Sequence, residues 1–173
     1  MKYRVLAAAV MVWVAAFLQS TLLEYMELFS VRPNLLLVLT VTVALLRSPG
    51  ESALMGLLFG LTMDILMGKT IGWYGLLFML AAIPIALVNE KLYRERPLVM
   101  MTFSMCGTLV VETFFILIVF MFSGYRYVPY LFTTVILPEA VYNGFLILPF
   151  FIPFRNLYTN LDNIDRKRNR LLS

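Results

Sequence analysis

Histidine is absent from the 173-residue sequence, and cysteine occurs once, at Cys106. Without histidine the chain lacks the commonest general base, the commonest zinc ligand and any histidine-dependent catalytic triad. A single cysteine excludes a disulfide within the chain and a cysteine-cluster metal site. We find no nucleophile–base pair or phosphate-binding loop either, so the sequence predicts a protein that is not an enzyme and holds no cofactor.

Charge is also scarce. Charged residues make up 14% of the chain and hydrophobic residues 61%, with a mean hydropathy of +0.86. Soluble domains carry roughly 25% charged residues, so a chain this apolar is not expected to cover its own surface in water. We therefore predict an all-α, polytopic membrane protein with one transmembrane domain over residues 1–155. The net charge of +4 is explained by membrane topology and does not indicate nucleic-acid binding.

Six apolar segments follow one another along the chain. A helix needs about 20 residues to cross a bilayer, and the second and third segments are shorter than that. Either they recruit flanking residues, the bilayer thins locally, or the two form a partly inserted hairpin. "RSPGE" at 47–51 predicts a helix-breaking turn between them. The segments are Val5–Leu23, Pro33–Leu46, Ala53–Met67, Ile71–Val88, Leu98–Phe122 and Val128–Phe154.

The basic residues predict the orientation of these segments. With six crossings and a cytoplasmic N-terminus, 11 of the 14 lysines and arginines lie on the cytoplasmic side, as the positive-inside rule requires. The three on the opposite side are Arg32, Lys69 and Arg126. We therefore predict a compact six-helix bundle with both termini in the cytoplasm. The alternative is a signal peptide cleaved near "VAA" at 14–16, but the apolar run is longer than such peptides use.

Asp64 is the first of three carboxylates within the apolar segments. Gly56, Gly60, Asp64 and Gly68 are spaced four apart and share one helix face, where glycines allow close approach of a second helix. Asp64 is then expected to accept backbone amides around "GKTIG" at 68–72 or to pair with Lys69. A structural hydrogen bond is favoured over a functional site, which is the other interpretation of a carboxylate at membrane depth.

Glu112 and Glu139 are the other two. Ser104 and Thr108 precede Glu112 on one face, which predicts a polar seam between helices, with proton relay as the alternative. Glu139 follows Pro138, and Tyr142 and Asn143 lie on its face of the helix. Because proline removes a backbone hydrogen bond, a kinked helix lined by these side chains is expected there, as a ligand pocket, an ion site or a docking face.

The last segment, residues 156–173, reads as a basic amphipathic tail. Apolar residues recur at helical spacing among four basic ones, which favours contact with anionic lipid on the cytoplasmic leaflet or with a cytoplasmic partner. The four are Arg166, Lys167, Arg168 and Arg170.

The order and spacing of these motifs resemble the rod shape-determining protein MreD family over nearly the whole chain. Pro33 and Asn34 match the opening of the family's second segment, and Arg47 matches the arginine that follows it. The glycine-rich third segment ends in Asp64 and Gly68, and "VYN" at 141–143 matches the family's "Leu-Tyr-Asn" near the last span.

The resemblance implies a multi-pass subunit of the bacterial cytoplasmic membrane that works in cell elongation and peptidoglycan synthesis. It implies an MreC-type bitopic scaffold as partner and, through it, MreB, a RodA-type glycosyltransferase and a penicillin-binding transpeptidase. The family is similar in plan to the substrate-binding subunits of energy-coupling-factor transporters. The alternative function is therefore capture of a small, vitamin-like ligand for transport, at a pocket near Glu139, Tyr142 and Asn143.

Overall fold

Helices make up nearly all of the described chain. The computed structural model describes residues 2–21, 31–68, 72–89, 96–123 and 128–172. A short helix, a π-helical segment (Phe132–Ile136) and the final helix follow one another without a break. The helices are α1 (Lys2–Thr21), α2 (Leu35–Leu46), α3 (Pro49–Met67), α4 (Trp73–Asn89), α5 (Pro97–Ser123), α6 (Val128–Leu131) and α7 (Leu137–Leu172).

α2 is the centre of the bundle. All its residues from Leu35 to Leu45 are buried, and α1, α3, α4, α5 and α7 pack around it. Its sequence, "LLLVLTVTVALL", has no polar face, as expected of a helix that is surrounded by other helices. With 12 residues it is only about 18 Å long. The second apolar segment is short because it is a core helix.

The predicted turn at 47–51 is smaller than expected. α3 begins at Pro49, so Pro49, Gly50 and Glu51 belong to the helix, and Arg47 and Ser48 alone separate it from α2. Proline fits the first helical position because its missing N–H would have no helical partner there. The prediction of a five-residue break was therefore wrong. Compared with the predicted segment Ala53–Met67, α3 is one turn longer at its N-terminal end. It reaches 19 residues by recruiting flanking residues.

Three stretches are long and apolar enough to cross a membrane: Pro49–Met67, Pro97–Met121 and Phe132–Ile164. The shorter apolar helices are Leu6–Thr21, Leu35–Leu46 and Trp73–Val88. The prediction of an all-helical membrane protein is thus confirmed at the level of fold class. Six crossings with both termini cytoplasmic stay a prediction.

Close packing of α3 on α4 confirms the interpretation of the glycine stripe. A Cβ on Gly56 would lie 2.8 Å from the carbonyl oxygen of Phe78, and one on Gly60 would lie closer still to that of Tyr74. Gly68 has a different role, because it ends α3 with φ 65° and an added Cβ would meet nothing within 4 Å. Its glycine serves the left-handed helix cap and not helix packing.

The chain around Glu139 is irregular without being broken. In the π-helical segment the Leu137 N–H donates to the Phe132 carbonyl, so the turn before Pro138 is widened by one residue. Such a bulge accommodates a proline that cannot donate to the preceding turn. α7 then continues through Pro149 and Pro153 to Leu172. The boundary predicted between residues 155 and 156 falls inside this helix, and a separate tail stays a prediction.

Candidate functional site

Asp64 holds the junction between α3 and α4. Its side chain is 1% exposed and accepts three backbone N–H groups, from Gly72 at 2.9 Å, Tyr74 at 3.1 Å and Gly75 at 3.1 Å. These amides open α4, where the first N–H groups of a helix have no helical partner and the helix dipole favours a negative charge. The expected acceptance of amides near 68–72 is confirmed at Gly72, and Lys69 lies outside the described residues.

Asn34 and Asn143 join three helices. Asn34 caps α2 by accepting the Leu37 N–H at 3.1 Å, and its own N–H donates to Asn143 Oδ1 at 2.9 Å. Asn143 Nδ2 donates to Thr108 Oγ1 at 3.1 Å, and Ser104 Oγ donates to the Asn143 carbonyl at 2.9 Å. The starts of α2 and α7 are thereby fixed against α5, so the predicted polar seam exists.

Glu112 continues this seam and has a partner that the sequence did not reveal. Its Oε2 accepts the Tyr74 hydroxyl at 3.2 Å, and its Oε1 lies 3.5 Å from the Asn34 side-chain nitrogen. Tyr74 also stacks on Phe115, with ring centroids 4.1 Å apart. This titratable neighbour is not visible in the sequence. Tyr74 lies 38 positions earlier, and only the fold brings it to α5.

Glu139 is the third buried carboxyl, and it lines the same cavity as Glu112. It is 7% exposed and lies one helical turn before Asn143 on α7. Tyr142 and Asn143, predicted to share a pocket with Glu139, are half-buried and buried, and neither is among the residues that line the cavity described next.

All three carboxylates line one cavity of about 710 Å³. It lies at the end of the bundle where α1, α3 and α5 finish and α2, α4 and α7 start. Other polar lining residues are Gln19, Ser20, Arg32, Asn34 and Tyr74. The apolar lining residues include Met63, Leu66, Met67, Phe115, Ile116, Leu131 and Val135. We call this space the polar cavity.

Arg47 organises the opposite end of the bundle. Its guanidinium donates to both oxygens of Asp162 on α7, at 2.8 and 3.2 Å, and pairs with Glu51. It also lies over the Tyr158 ring, 4.8 Å from the centroid. Partial burial lowers the Arg47 pKa, but the hydrogen bonds to Asp162 and Glu51 outweigh this and leave the pKa above its ordinary value. The arginine is therefore a charged clamp between the α2–α3 junction and α7.

Comparison with known proteins identifies the family. The family model described as "rod shape-determining protein MreD" matches residues 1–161 of the 173-residue chain. The chain belongs to the MreD family. It is therefore a membrane protein of rod-shape determination, a role in which the family is linked to the MreC/MreB shape complex. No curated protein and no solved structure gives a significant match, so the similarity in plan to transporter subunits stays a prediction.

Two polar residues of this MreD-family chain were missed as site candidates. Gln19 Oε1 accepts the Leu35 N–H at 2.8 Å, and its Nε2 donates to the Pro33 carbonyl at 3.2 Å, which fixes the start of α2 to α1. A lone amide near the end of an apolar segment was the available signal. Tyr74 gave no comparable signal in the sequence, because a tyrosine at a helix start is also typical of a membrane interface.

The basic tail of this MreD-family chain is described in part. Its start packs on the bundle through buried Tyr158 and half-buried Leu161, whereas Ile164 and Arg166 are exposed. The side chains of Lys167, Arg168 and Arg170 lie outside the described residues. Contact of these four basic residues with lipid stays a prediction.

Proposed function

We propose that this chain is a non-enzymatic subunit of the bacterial cell-elongation complex and docks an MreC-type bitopic scaffold through its helix bundle. Family membership supports the role in shape determination. Through the scaffold the subunit reaches MreB, a RodA-type glycosyltransferase and a penicillin-binding transpeptidase. It spans the cytoplasmic membrane with both termini inside, where the basic tail meets anionic lipid.

The interior polar residues support a structural role in this proposal. Asp64, Glu112 and Asn143 each bond to a helix other than their own. Asp64 is 1% exposed and Glu139 7%, so neither offers a surface to a partner. They shape the docking face by holding α3, α4 and α7 in place.

The surface that favours docking is an apolar groove of about 660 Å³ between α1, α3 and α7. Three of the six α1 residues that line it are alanines, and small residues allow two membrane helices to approach closely. Arg47 and Glu51 lie at the groove end next to the α2–α3 junction. The residues that line it include Ala8, Ala9, Met11, Val12, Ala16, Leu54, Leu58 and Leu161.

One transmembrane helix of the scaffold is the occupant we propose for this groove. In the predicted orientation Glu51 is at the cytoplasmic side, where the positive-inside rule places basic residues next to a single-span helix. A basic flank of the scaffold would thus lie beside a carboxylate. Alanine at groove positions leaves room for its side chains.

A pull-down from the native host tests the proposal. Tagged full-length chain is solubilised in mild detergent, and co-purifying proteins are identified by mass spectrometry. Ala9→Phe fills the groove, whereas Val10→Phe, at a 53% exposed neighbour outside the groove lining, is the matched control. We expect an MreC-type protein with wild type and Val10→Phe and its loss with Ala9→Phe. Equal recovery of the MreC-type protein with both variants would reject the groove as the docking site. No recovery with wild type would reject the docking role.

The polar cavity favours a second candidate function, capture of a small ligand for transport. At about 710 Å³ it falls within the size range of ligand pockets and carries a few convergent polar groups. The same pull-down discriminates between the two functions, because a transport subunit would co-purify with an energy-coupling ATPase.

A further inference from the structure

The helices of the bundle have unequal apolar lengths. α3 and α4 pack against each other, and their apolar stretches are residues 53–67 and Trp73–Val88, about 22 and 24 Å long at 1.5 Å per residue. α5 lies next to α4, and its apolar stretch, Pro97–Met121, is about 37 Å long. The hydrocarbon core of a bilayer is about 30 Å thick, so α3 and α4 are shorter than the core and α5 is longer.

The same difference is present on the outer surface of the bundle. Exposed apolar side chains on α4 extend from Leu76 to Val88, about 18 Å along the helix axis. On α5 they extend from Leu98 to Met121, about 35 Å. We call these two outer surfaces the short face and the long face. The short face comprises Leu54, Ile65, Leu76, Leu80, Leu87 and Val88 of α3 and α4, and the long face comprises Leu98, Val110, Phe114, Leu117 and Met121 of α5.

Fixed polar structures at both ends set the apolar length of α3. At one end Glu51 pairs with Arg47, whose guanidinium is also held by Asp162 on α7. At the other end Gly68 terminates the helix in the left-handed conformation, and Asp64 accepts the backbone amides that open α4. Drawing either end into hydrocarbon would break these bonds or bury their charges, which is costly. The height of the short face is therefore a property of the fold.

Long and short helices respond differently to a bilayer of one thickness. A long helix such as α5 tilts until its apolar stretch fits, whereas a short helix cannot be stretched and the bilayer becomes thinner around it. Tilting the whole bundle to fit α5 does not help, because tilt also shortens the span of α3 and α4 across the bilayer. Acyl chains with fewer carbons form a thinner layer, so they relieve the mismatch at the short face.

We propose that the short face selects phospholipids with short acyl chains and thins the bilayer beside α3 and α4. The lipid is selected there by the length of its chains, since the face is apolar and offers no group that reads a headgroup. The proposal rests on the proposed crossing of the membrane by α3 and α4. It does not depend on docking of a scaffold helix.

Tryptophan fluorescence beside each face tests the proposal. Trp13→Phe and Trp73→Phe remove both native tryptophans from the full-length chain. In that background Leu80→Trp places a reporter near the middle of α4, and Phe114→Trp places one on α5, at positions that are 52% and 54% exposed. Each variant is reconstituted with brominated phosphatidylcholine, which quenches tryptophan on contact. Competition by dimyristoleoyl-, dioleoyl- and dierucoyl-phosphatidylcholine, which differ only in chain length, gives the relative affinity of each lipid at each reporter.

Beside Leu80→Trp we expect the shortest lipid, dimyristoleoyl-phosphatidylcholine, to bind at least about threefold more tightly than the longest, and beside Phe114→Trp we expect no such preference. An equal preference at both reporters, or none at Leu80→Trp, would overturn the proposal, because the bundle would then meet a bilayer of one thickness. Absence of quenching at Leu80→Trp would show instead that α4 does not cross the membrane. Failure of the proposed crossing is thereby distinguished from failure of lipid selection.

A change in the height of the short face tests the cause of the preference. Leu87→Asn places a polar group at an exposed position near the end of α4 and so shortens its apolar stretch. We expect the preference for the shortest lipid beside Leu80→Trp to rise at least about twofold. Met121→Asn makes a comparable apolar-to-polar change near the end of α5, and this control should leave that preference unchanged. Equal effects of the two substitutions, or no effect of Leu87→Asn in the folded protein, would overturn the assignment to the short face.

Discussion

The backbone N–H of Asn34 donates to the side chain of Asn143 at 2.9 Å, across 109 positions of the sequence. This bond ties the first turn of the central helix α2 to α7. Asn143 also bonds to α5 through Thr108, and Ser104 donates to its carbonyl. One amide side chain therefore fixes where the core helix starts relative to two neighbours.

Replacement of Asn143 by leucine tests this junction. The variant keeps the branched shape of the side chain but leaves the Asn34 N–H without its acceptor in a buried site. We expect the free energy of unfolding to fall by about 2 kcal/mol, since hydrogen bonds between membrane helices contribute roughly 0.6 kcal/mol each and an unsatisfied buried donor costs more. Thermal unfolding in detergent, followed by tryptophan fluorescence, measures the loss. Val141→Ala, at a 45% exposed position on the same helix, is the control, and a similar melting temperature for the two variants would contradict the role assigned to Asn143.

Asp64→Asn probes the three amides at the start of α4. Asparagine keeps one acceptor oxygen and places an amide nitrogen where the other was. Whichever way the amide turns, at least one of the Gly72, Tyr74 and Gly75 N–H groups then faces a donor.

We expect Asp64→Asn to lose about 2 kcal/mol of stability and Asp64→Ala about 3 kcal/mol. Ile65→Ala, at the adjacent 72% exposed position, is the control for shortening a side chain on the lipid-facing side. Chemical unfolding in mixed micelles gives the three values. A loss in Asp64→Ala no greater than that of Ile65→Ala would show that the cap does not stabilise the helix pair.

The sequence predicted the all-helical membrane class and most helix positions, because long apolar runs between breakers have few alternatives in lipid. The sequence-based predictions were wrong where packing against other helices determines the local structure. Pro49 starts a helix instead of breaking one, and α2 is short because it is enclosed by other helices. Local pattern does not report enclosure, which depends on helices far away in the chain.

The site was predictable in part for the same reason. Asp64, Glu112, Glu139 and Asn143 were found because a polar residue in an apolar segment is costly and needs a partner. Which partners they have was not predictable beyond Asp64, since the Tyr74 contact to Glu112 spans 38 positions. Arg47 was identified from family resemblance. Its hydrogen bonds to Asp162 span 115 positions, so they depend on how α7 packs against the rest of the bundle and were not predictable.

Glycine substitution provides a third prediction, on the α3–α4 contact. Gly60→Ala would drive a Cβ into the Tyr74 backbone carbonyl, whereas Gly50→Ala adds a Cβ with nothing within 4 Å. Both glycines are helical, so alanine improves helix propensity by about 1 kcal/mol in each. We expect net stabilisation in Gly50→Ala and a loss of about 2 kcal/mol or more in Gly60→Ala, because backbone atoms cannot move aside cheaply. Matched thermal unfolding of both variants tests this, and equal stabilities would contradict the close approach.

The fourth prediction concerns the clamp between Arg47 and Asp162. A double-mutant cycle with Arg47→Lys and Asp162→Asn isolates their coupling, because lysine keeps the charge and loses the two-pronged geometry. The Asp162 side chain is 35% exposed and water screens it, so we expect a coupling of only about 0.5–1 kcal/mol. It should weaken as salt rises from 0.05 to about 0.5 M, since screening increases.

Unfolding measurements at both salt concentrations give that coupling. Amide hydrogen exchange along α7 shows where it acts. Arg47 also contacts the Tyr158 ring. In Arg47→Lys we therefore expect faster exchange than in wild type from about Tyr158 toward the C-terminus, and unchanged exchange at the cavity end of α7. Arg166→Lys, at an exposed position further along the helix, is the control and should change neither quantity. A coupling near zero at low salt, or faster exchange at the Asn143 end of α7, would show that the clamp does not hold this half of the helix against the bundle.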